Sequence, residues 1–255
     1  MKAILPALWL LLGAFVPAAQ AAPVWAPTSE WLLFTGVATP ETALSSVYRT
    51  DVLRAQRAGG VREVIASGRV AAVSPDARSV VIADIDENTT SGYSLKVTRE
   101  GSSPRTLSVE GPVTGLATDG VVAYAAVSHV EAGQQDRDGI WVVPLDGGPA
   151  TRLVTAPSTL RPVETRSLML SPDGSRLMYA TTGDDGYSRA AVVSASGGTP
   201  SELARRRDTY PLGWSADGSY VYFIEGNAWQ GESTALVRTR PDGSGRTVIV
   251  QGAGV

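Results

Sequence analysis

The apolar residues of the chain fall in short runs separated by turn-forming residues. Typical runs are Val80-Val81-Ile82-Ala83 and Tyr220-Val221-Tyr222-Phe223-Ile224. The i, i+3, i+4 spacing of an amphipathic helix is sustained nowhere, and residues 42–58, the best helical candidate, are interpreted as a long loop and a strand. Runs that are apolar at consecutive positions are typical of strands covered on both faces. The pattern therefore predicts an all-β chain.

A turn tetrapeptide recurs between pairs of these runs. Its copies are Ser74-Pro75-Asp76-Ala77, Ala117-Thr118-Asp119-Gly120, Ser171-Pro172-Asp173-Gly174 and Ser215-Ala216-Asp217-Gly218, after a degenerate first copy, Ala26-Pro27-Thr28-Ser29. Asp at the third position accepts hydrogen bonds from nearby backbone N–H groups, and Gly at the fourth adopts a positive φ. We therefore interpret these as structural turn residues and not as a catalytic or metal-binding set: Asp76, Asp119, Asp173, Gly174, Asp217 and Gly218.

A hairpin turn that contains glycine follows each copy at a similar distance. These turns are Gly59-Gly60, Gly101-Ser102, Asp146-Gly147-Gly148, Ser196-Gly197-Gly198 and Asp242-Gly243-Ser244. Two markers that advance together indicate an internal repeat of a length typical of propellers. They divide the chain into five repeats of four short strands, at approximately 24–67, 68–111, 112–157, 158–207 and 208–255.

Four-stranded repeats whose strands are apolar on both faces predict a β-propeller of antiparallel blades, because each blade is covered by two neighbours. A sandwich would bury one face of each sheet and would favour strict alternation instead. Five repeats favour a closed five-bladed ring, and an incomplete six-bladed ring is the alternative.

The N-terminus has the pattern of a targeting segment. Met1 and Lys2 are followed by an apolar run at 4–16 and by Ala19-Gln20-Ala21, a small-x-small cleavage signal. The run is too short to span a bilayer of about 30 Å as a helix. We predict that residues 1–21 are a signal peptide and that residues 22–255 form a propeller domain. The mature chain is then periplasmic or secreted and does not insert into a membrane.

The composition of the chain excludes several kinds of catalytic and binding site. The chain has no cysteine and one histidine, His129, which excludes disulfides, thiolate nucleophiles and Cys-ligated metals. It has no Gly-x-Ser-x-Gly elbow and no glycine-rich phosphate loop. A net charge of −3 gives no electrostatic reason to bind nucleic acid. We therefore expect a monomer that is not an enzyme and has no cofactor or metal, and we interpret His129 as a solvated loop residue.

The loops between second and third strands carry many of the acidic residues, and these loops share one face of a propeller. We therefore predict a partner-binding face formed by Asp84, Asp86, Glu87, Asp136, Asp138, Asp184 and Asp185, with Trp229 as an exposed aromatic contact. An inter-blade connection containing Arg205, Arg206 and Arg207 interrupts its negative charge. Trp31, Trp141 and Trp214 are expected in the core between blades.

Residues 171–203 carry a family resemblance. Ser-Pro-Asp-Gly, an apolar strand, an acidic loop, Val192-Val193-Ser194 and Gly197-Gly198 ahead of Leu203 resemble the repeats of TolB-like β-propellers. They also resemble repeats in the propeller domains of prolyl oligopeptidase and dipeptidyl peptidase IV-type peptidases. The peptidase relatives keep their catalytic residues on a separate hydrolase domain, for which this chain has no residues. The resemblance to TolB-like propellers implies a role in envelope maintenance, through a peptidoglycan-associated or membrane-linked partner.

Three functional hypotheses follow. The leading one is an exported, non-catalytic propeller that binds a protein or peptide on the acidic loop face, as a scaffold in the cell envelope. The second is a glycan-processing enzyme that uses loop carboxylates, because five-bladed rings host furanosidases. The third is a detached propeller that senses or gates for a larger assembly.

Overall fold

The chain is folded almost entirely into antiparallel sheets. The computed structural model describes residues 24–25, 31–36, 50–56, 63–68, 70–84, 94–99, 102–129, 135–155, 168–183, 185–226 and 233–252. Within these ranges, twenty strands form five four-stranded sheets, and each sheet comes from one continuous stretch of the chain. Successive strands are hydrogen-bonded neighbours in every sheet. The predicted all-β propeller of four-stranded blades is confirmed.

The five blades follow one another along the chain. The first has β1 (Val24–Trp25), β2 (Trp31–Gly36), β3 (Thr50–Gln56) and β4 (Glu63–Gly68), and the second has β5 (Val70–Val73), β6 (Ser79–Asp84), β7 (Ser94–Arg99) and β8 (Arg105–Ser108). The third has β9 (Val113–Thr118), β10 (Val122–Val127), β11 (Gly139–Pro144) and β12 (Thr151–Thr155). The fourth has β13 (Leu168–Leu170), β14 (Arg176–Thr182), β15 (Ser188–Ser194) and β16 (Ser201–Arg206), and the fifth has β17 (Asp208–Trp214), β18 (Val221–Gly226), β19 (Ala235–Thr239) and β20 (Thr247–Gln251).

The turn tetrapeptide is a closed hydrogen-bonded unit. In the fourth blade, the Ser171 hydroxyl donates to Asp173 Oδ1 over 2.6 Å and accepts the backbone N–H of Arg176 over 2.9 Å. The same two bonds recur from Ser215 in the fifth blade and from Ser74 in the second. The serine is therefore as much a part of the turn as the aspartate.

Gly174 supplies the left-handed residue of this turn, with φ at +72°. A Cβ placed there would have no neighbour within 4 Å, so a side chain would meet only backbone strain. We expect Gly174→Val to reduce the free energy of unfolding by about 1–3 kcal/mol, measured by urea denaturation. An unchanged midpoint would contradict the turn assignment.

The turn carboxylates should make the free energy of unfolding decrease at acidic pH. Hydrogen bonds from Ser171 and Ser175 lower the pKa of Asp173 to about 2, and Ser215 and Ser219 lower the pKa of Asp217 to about 2. Because both values lie below the ordinary 3.8, the carboxylates stabilise the fold above about pH 4 and lose that contribution as the pH falls toward about 2. As the pH falls over this range, the urea midpoint of the Asp173→Asn, Asp217→Asn double variant should therefore decrease less steeply than that of the wild type. An equal slope in both proteins would refute the expectation.

The hairpin glycines mark contacts between blades. A Cβ at Gly197 in the fourth blade would lie 3.6 Å from Leu153 Cδ1, on the outermost strand of the third. Gly243 approaches Leu203 across the next interface in the same way, and Gly147 approaches Leu107. The second sequence marker thus places the hairpin of one blade against the outer strand of the blade before it. At all three positions a φ of +85° to +96° favours glycine.

The apolar core is divided among the interfaces. Among the residues with described side chains, one cluster joins the second and third blades and includes Val81, Leu95, Leu116 and Val143. A second cluster joins the third and fourth blades and includes Tyr124, Ala126, Leu168 and Leu177. A third joins the fourth and fifth blades and includes Met178, Val192 and Val221. Trp214 packs against the last cluster, and its Nε1–H donates to the Met169 carbonyl over 3.3 Å. Trp214 therefore lies between blades, as predicted, and Trp31 lies outside the residues with described side chains.

Candidate functional site on the loop face

One face of the blades gathers the second-to-third loops and the inter-blade connections. We call it the loop face and define it, where described, by residues 110–112, 129, 135–138, 183, 185–187 and 205–207. In the third blade, Arg137 of the loop lies 3.9 Å from Glu110 of the connection before β9. In the fourth blade, Asp185 of the loop contacts Arg205 at the end of β16. In the third blade the loop and the connection therefore meet, whereas the contact in the fourth blade joins the loop to a strand of the same blade.

A buried His–Asp pair closes the loop of the third blade. Asp138 Oδ1 accepts the backbone N–H of His129 over 2.8 Å and its ring Nδ1–H over 2.7 Å. Both residues are at least 97% buried. The interpretation of His129 as a solvated residue is wrong, and Asp138 is not part of an exposed acidic face. Two hydrogen bonds to one carboxylate oxygen hold the ends of β10 and β11 together.

The ring of His129 rests directly on the backbone of Gly111. A Cβ at Gly111 would lie 2.3 Å from Cε1 and 2.4 Å from Nε2 of the ring, so only glycine leaves room for it. Ser128 does not complete a triad with the pair, because its buried Oγ has no hydrogen-bond partner. A pair buried against glycine orients two strands, and this geometry gives a substrate no access to it.

Two other described residues of this loop are exposed. Asp136 and Arg137 belong to a short 3-10 helix at Gln135–Arg137, and both side chains face solvent. Trp141 donates from Nε1 to the Arg137 carbonyl over 3.0 Å, and the Arg152 guanidinium lies 5.6 Å from its ring centroid. Trp141 is half-buried and braces this loop, so its expected place in the core between blades is wrong.

In the fourth blade, arginines balance the negative charge of the predicted acidic loop. Asp185 Oδ2 accepts hydrogen bonds from Arg189 over 2.6 Å and from Arg205 over 2.5 Å. The backbone N–H of Tyr187, with these two arginines, lowers the pKa of Asp185 to about 2. Asp185 is therefore engaged inside its own blade, and its charge is balanced locally.

An exposed arginine–tyrosine patch surrounds this ion pair. The guanidinium groups of Arg205 and Arg207 lie 5.4 Å and 5.8 Å from the centroid of the Tyr187 ring, and all three residues are exposed. Arg205 and Arg206 belong to β16, so the arginine run is mostly strand and not a connection. We call Tyr187, Arg205 and Arg207 the Arg–Tyr patch. The arginines stand out in the sequence as a run, whereas nothing in the sequence indicates that Tyr187 lies between them in space.

Several predicted residues lie outside what the structure describes. Asp84 ends β6, but its side chain is outside the described part, as are Asp86, Glu87, Asp184 and Trp229 in full. Of the predicted acidic face, the described side chains are Asp136, which is exposed, Asp138, which is buried, and Asp185, which is paired. In the described ranges no three His, Asp or Glu side chains are grouped to hold a metal ion, and no helix is long and apolar enough to cross a membrane.

The arrangement of blades has clear counterparts among solved structures. TolB from Acinetobacter baumannii superposes with a TM-score of 0.61 and 18% identity over 91% of this chain and 55% of that one. The fold is that of a TolB-like β-propeller. A prolyl endopeptidase superposes with a TM-score of 0.60 and 12% identity over 91% of this chain and 35% of that one. An oligogalacturonate lyase in complex with manganese superposes with a TM-score of 0.62 and 11% identity over 90% of this chain and 64% of that one.

These likenesses show the fold alone. Each identity is below a fifth, and the propeller repeat serves proteins of unrelated activity. No protein-family model matches the chain, and no curated protein matches it. The chain spans about half the length of the Acinetobacter TolB and about a third of the prolyl endopeptidase.

Proposed function

We propose that this TolB-like propeller is a non-catalytic scaffold of the cell envelope that binds a protein or peptide partner on its loop face. The observation that supports it best is the Arg–Tyr patch. Arginine and tyrosine are among the side chains enriched where proteins bind one another, since each offers a large flat surface with a polar end. In the patch they are exposed, already stacked, and fixed at one end by Asp185.

The charge of the patch indicates the partner's chemistry. Asp185 is shared between Arg189 and Arg205, whereas no described carboxylate pairs with Arg207. A guanidinium with free donors binds carboxylates in pairs of parallel hydrogen bonds. We therefore propose a partner that presents acidic side chains to this blade. This proposal moves the contact away from the acidic face predicted from the sequence, since Asp138 is buried and Asp185 is paired.

The glycan-processing alternative has less support from the described residues. A glycosidase needs two carboxyl groups that face one cavity about 5–10 Å apart. Of the described loop-face aspartates, one is buried against a histidine and another is held by two arginines. Hydrolysis or cleavage of a glycan panel by the purified chain would favour this alternative over the scaffold.

Export is part of the proposal and rests on residues 1–21. Changing Ala19 and Ala21 to bulky residues should leave an unprocessed precursor in the producing cell, since signal peptidases require small residues at these positions. N-terminal sequencing of the chain recovered from the periplasm tests this. Normal processing of the variant would exclude cleavage after Ala21.

The binding proposal is tested by capture with matched variants. The purified propeller is immobilised and exposed to an envelope extract, beside an Arg205→Gln, Arg207→Gln double variant. The control removes two exposed arginines elsewhere, Arg176 at the turn end of the fourth blade and Arg240 in a hairpin of the fifth. A partner retained by the wild type and the control but lost from the patch variant supports the proposal. Equal capture by all three proteins, or by none, would reject it.

A further inference from the structure

The carboxylate of Asp185 joins the parts of the Arg–Tyr patch to one another. Its Oδ1 accepts the backbone N–H of Tyr187 over 3.0 Å, and its Oδ2 accepts hydrogen bonds from Arg189 over 2.6 Å and from Arg205 over 2.5 Å. The Tyr187 N–H and these arginines lower the pKa of Asp185 to about 2, so the group is charged at neutral pH. One carboxylate therefore fixes both the backbone of the tyrosine and a guanidinium that stacks on its ring.

The two arginines beside the Tyr187 ring differ in their charge partners. Arg205 donates to Asp185, whereas no carboxylate in the described part of the chain forms an ion pair with Arg207. Both guanidinium groups lie against the same ring, 5.4 Å and 5.8 Å from its centroid. A Cβ at Gly186 would lie 4.0 Å from the Arg207 guanidinium, so this group also lies beside the loop backbone. Arg207 is thus the cation of the patch that is exposed and has no charge partner among the described residues.

The patch and its anchors carry one positive charge in excess. Glu202 also approaches Arg189, with its Oε2 3.8 Å from the arginine Nε. Three arginines therefore face two described carboxylates: Arg189, Arg205 and Arg207 face Asp185 and Glu202. This excess matches a single bound carboxylate. A second one would find Arg205 already engaged, and would have to displace Asp185 or lie beside it, where like charges repel.

We propose that Asp185 sets the charge selectivity of the Arg–Tyr patch, which accepts one carboxylate at Arg207 and resists a second at Arg205. The inference rests on the proposed function and narrows the chemistry of the partner, whose contact segment presents an isolated acidic residue and not a run of them. The Tyr187 ring offers that segment a flat apolar surface beside the carboxylate. Asp185 acts through Arg205 and does not contact the bound carboxylate, so it is a positioning residue.

Two synthetic peptides test this selectivity. Both are short, acetylated and amidated; one has a single glutamate among glycine and glutamine, and in the other the neighbouring glutamine is also glutamate. Each peptide is titrated into the isotope-labelled propeller, and the Nε–Hε signals of Arg205 and Arg207 are followed by NMR. Single Arg205→Gln and Arg207→Gln variants assign the two signals.

The wild type and Asp185→Asn should respond differently to the second glutamate. In the wild type, we expect both peptides to shift mainly the Arg207 signal, and the second glutamate to strengthen binding by less than about threefold. In Asp185→Asn, the second glutamate should strengthen binding by about tenfold and should also shift the Arg205 signal, because that guanidinium is released. The asparagine carbonyl can still accept the Tyr187 N–H, so the loop keeps this hydrogen bond.

The matched control is Asp146→Asn, in the hairpin of the third blade. Asp146 also accepts a backbone N–H two residues later over 3.0 Å, from Gly148, but its carboxylate forms no ion pair among the described residues. This variant should keep the selectivity of the wild type. The comparison separates the contact with Arg205 from the loss of one negative charge from the chain.

The proposal fails if the second glutamate strengthens binding equally in the wild type and in Asp185→Asn. A wild-type Arg205 signal that shifts as much as that of Arg207, no binding of either peptide, or loss of selectivity in Asp146→Asn would also overturn it. The wild-type titrations decide the matter without any variant, and circular dichroism checks the folding of Asp185→Asn. Capture from the envelope extract tests the proposed function separately. A captured partner without this selectivity rejects only the role of Asp185, and selectivity without a captured partner rejects the scaffold.

Discussion

The Phe223→Ala variant is expected to lose about 3–5 kcal/mol of unfolding free energy. Phe223 is the largest fully buried side chain among the described residues, at the centre of β18, on the side of the fifth blade that faces the fourth. Removing the ring loses the hydrophobic free energy of its burial and leaves a cavity that the two sheets cannot close without moving. A loss of this size approaches the whole stability of a typical domain.

The next residue of the strand supplies the control. Ile224 points to the opposite side of the sheet and is half-buried, so Ile224→Ala should lose only about 1 kcal/mol. Urea denaturation of both variants measures the difference. Equal losses would mean that the two faces of this blade are covered alike, which would contradict the described packing.

Asp138→Ala is expected to cost about 2–4 kcal/mol of unfolding free energy. The substitution leaves the backbone N–H of His129 and its ring Nδ1–H without their acceptor, and both groups are buried. Asp136, two residues earlier, is exposed, so Asp136→Ala should change stability by no more than about 0.5 kcal/mol. The two urea midpoints are compared directly.

Asparagine at position 138 separates the hydrogen bonds from the charge. Both bonds from His129 go to the same oxygen, Oδ1, and an asparagine carbonyl can accept both. Asp138→Asn should therefore retain much of the stability that Asp138→Ala loses. If the two variants are equally unstable, the negative charge and not the hydrogen-bond geometry holds the loop.

The turns were the part of the fold that the sequence predicted best, because their chemistry is local. Ser171, Asp173 and Gly174 form a complete unit within six residues, so each copy can be recognised without knowing what packs around it. The hairpin glycines were recognised for the same reason. Their second property, the close approach to the preceding blade, depends on two segments that are distant along the chain.

The functional surfaces were harder to predict, since they depend on which side chains meet. His129 looked like a solvated loop residue because Asp138 and Gly111, which bury it, lie 9 and 18 positions away. Asp185 counted as an acidic loop residue until Arg189 and Arg205 were placed beside it. A count of charges per loop cannot detect such compensation, because the arginines belong to neighbouring strands.

The most direct measurement of the central claim is a titration of the partner recovered by capture. Calorimetry would compare the wild type, the Arg205→Gln, Arg207→Gln variant and the Arg176→Gln, Arg240→Gln control at low and high salt. We expect the patch variant to bind about tenfold more weakly than the control at low salt, and the difference to shrink as salt screens the exposed charges. Equal affinity in all three proteins at both salt concentrations would contradict the account and place the binding site away from the Arg–Tyr patch.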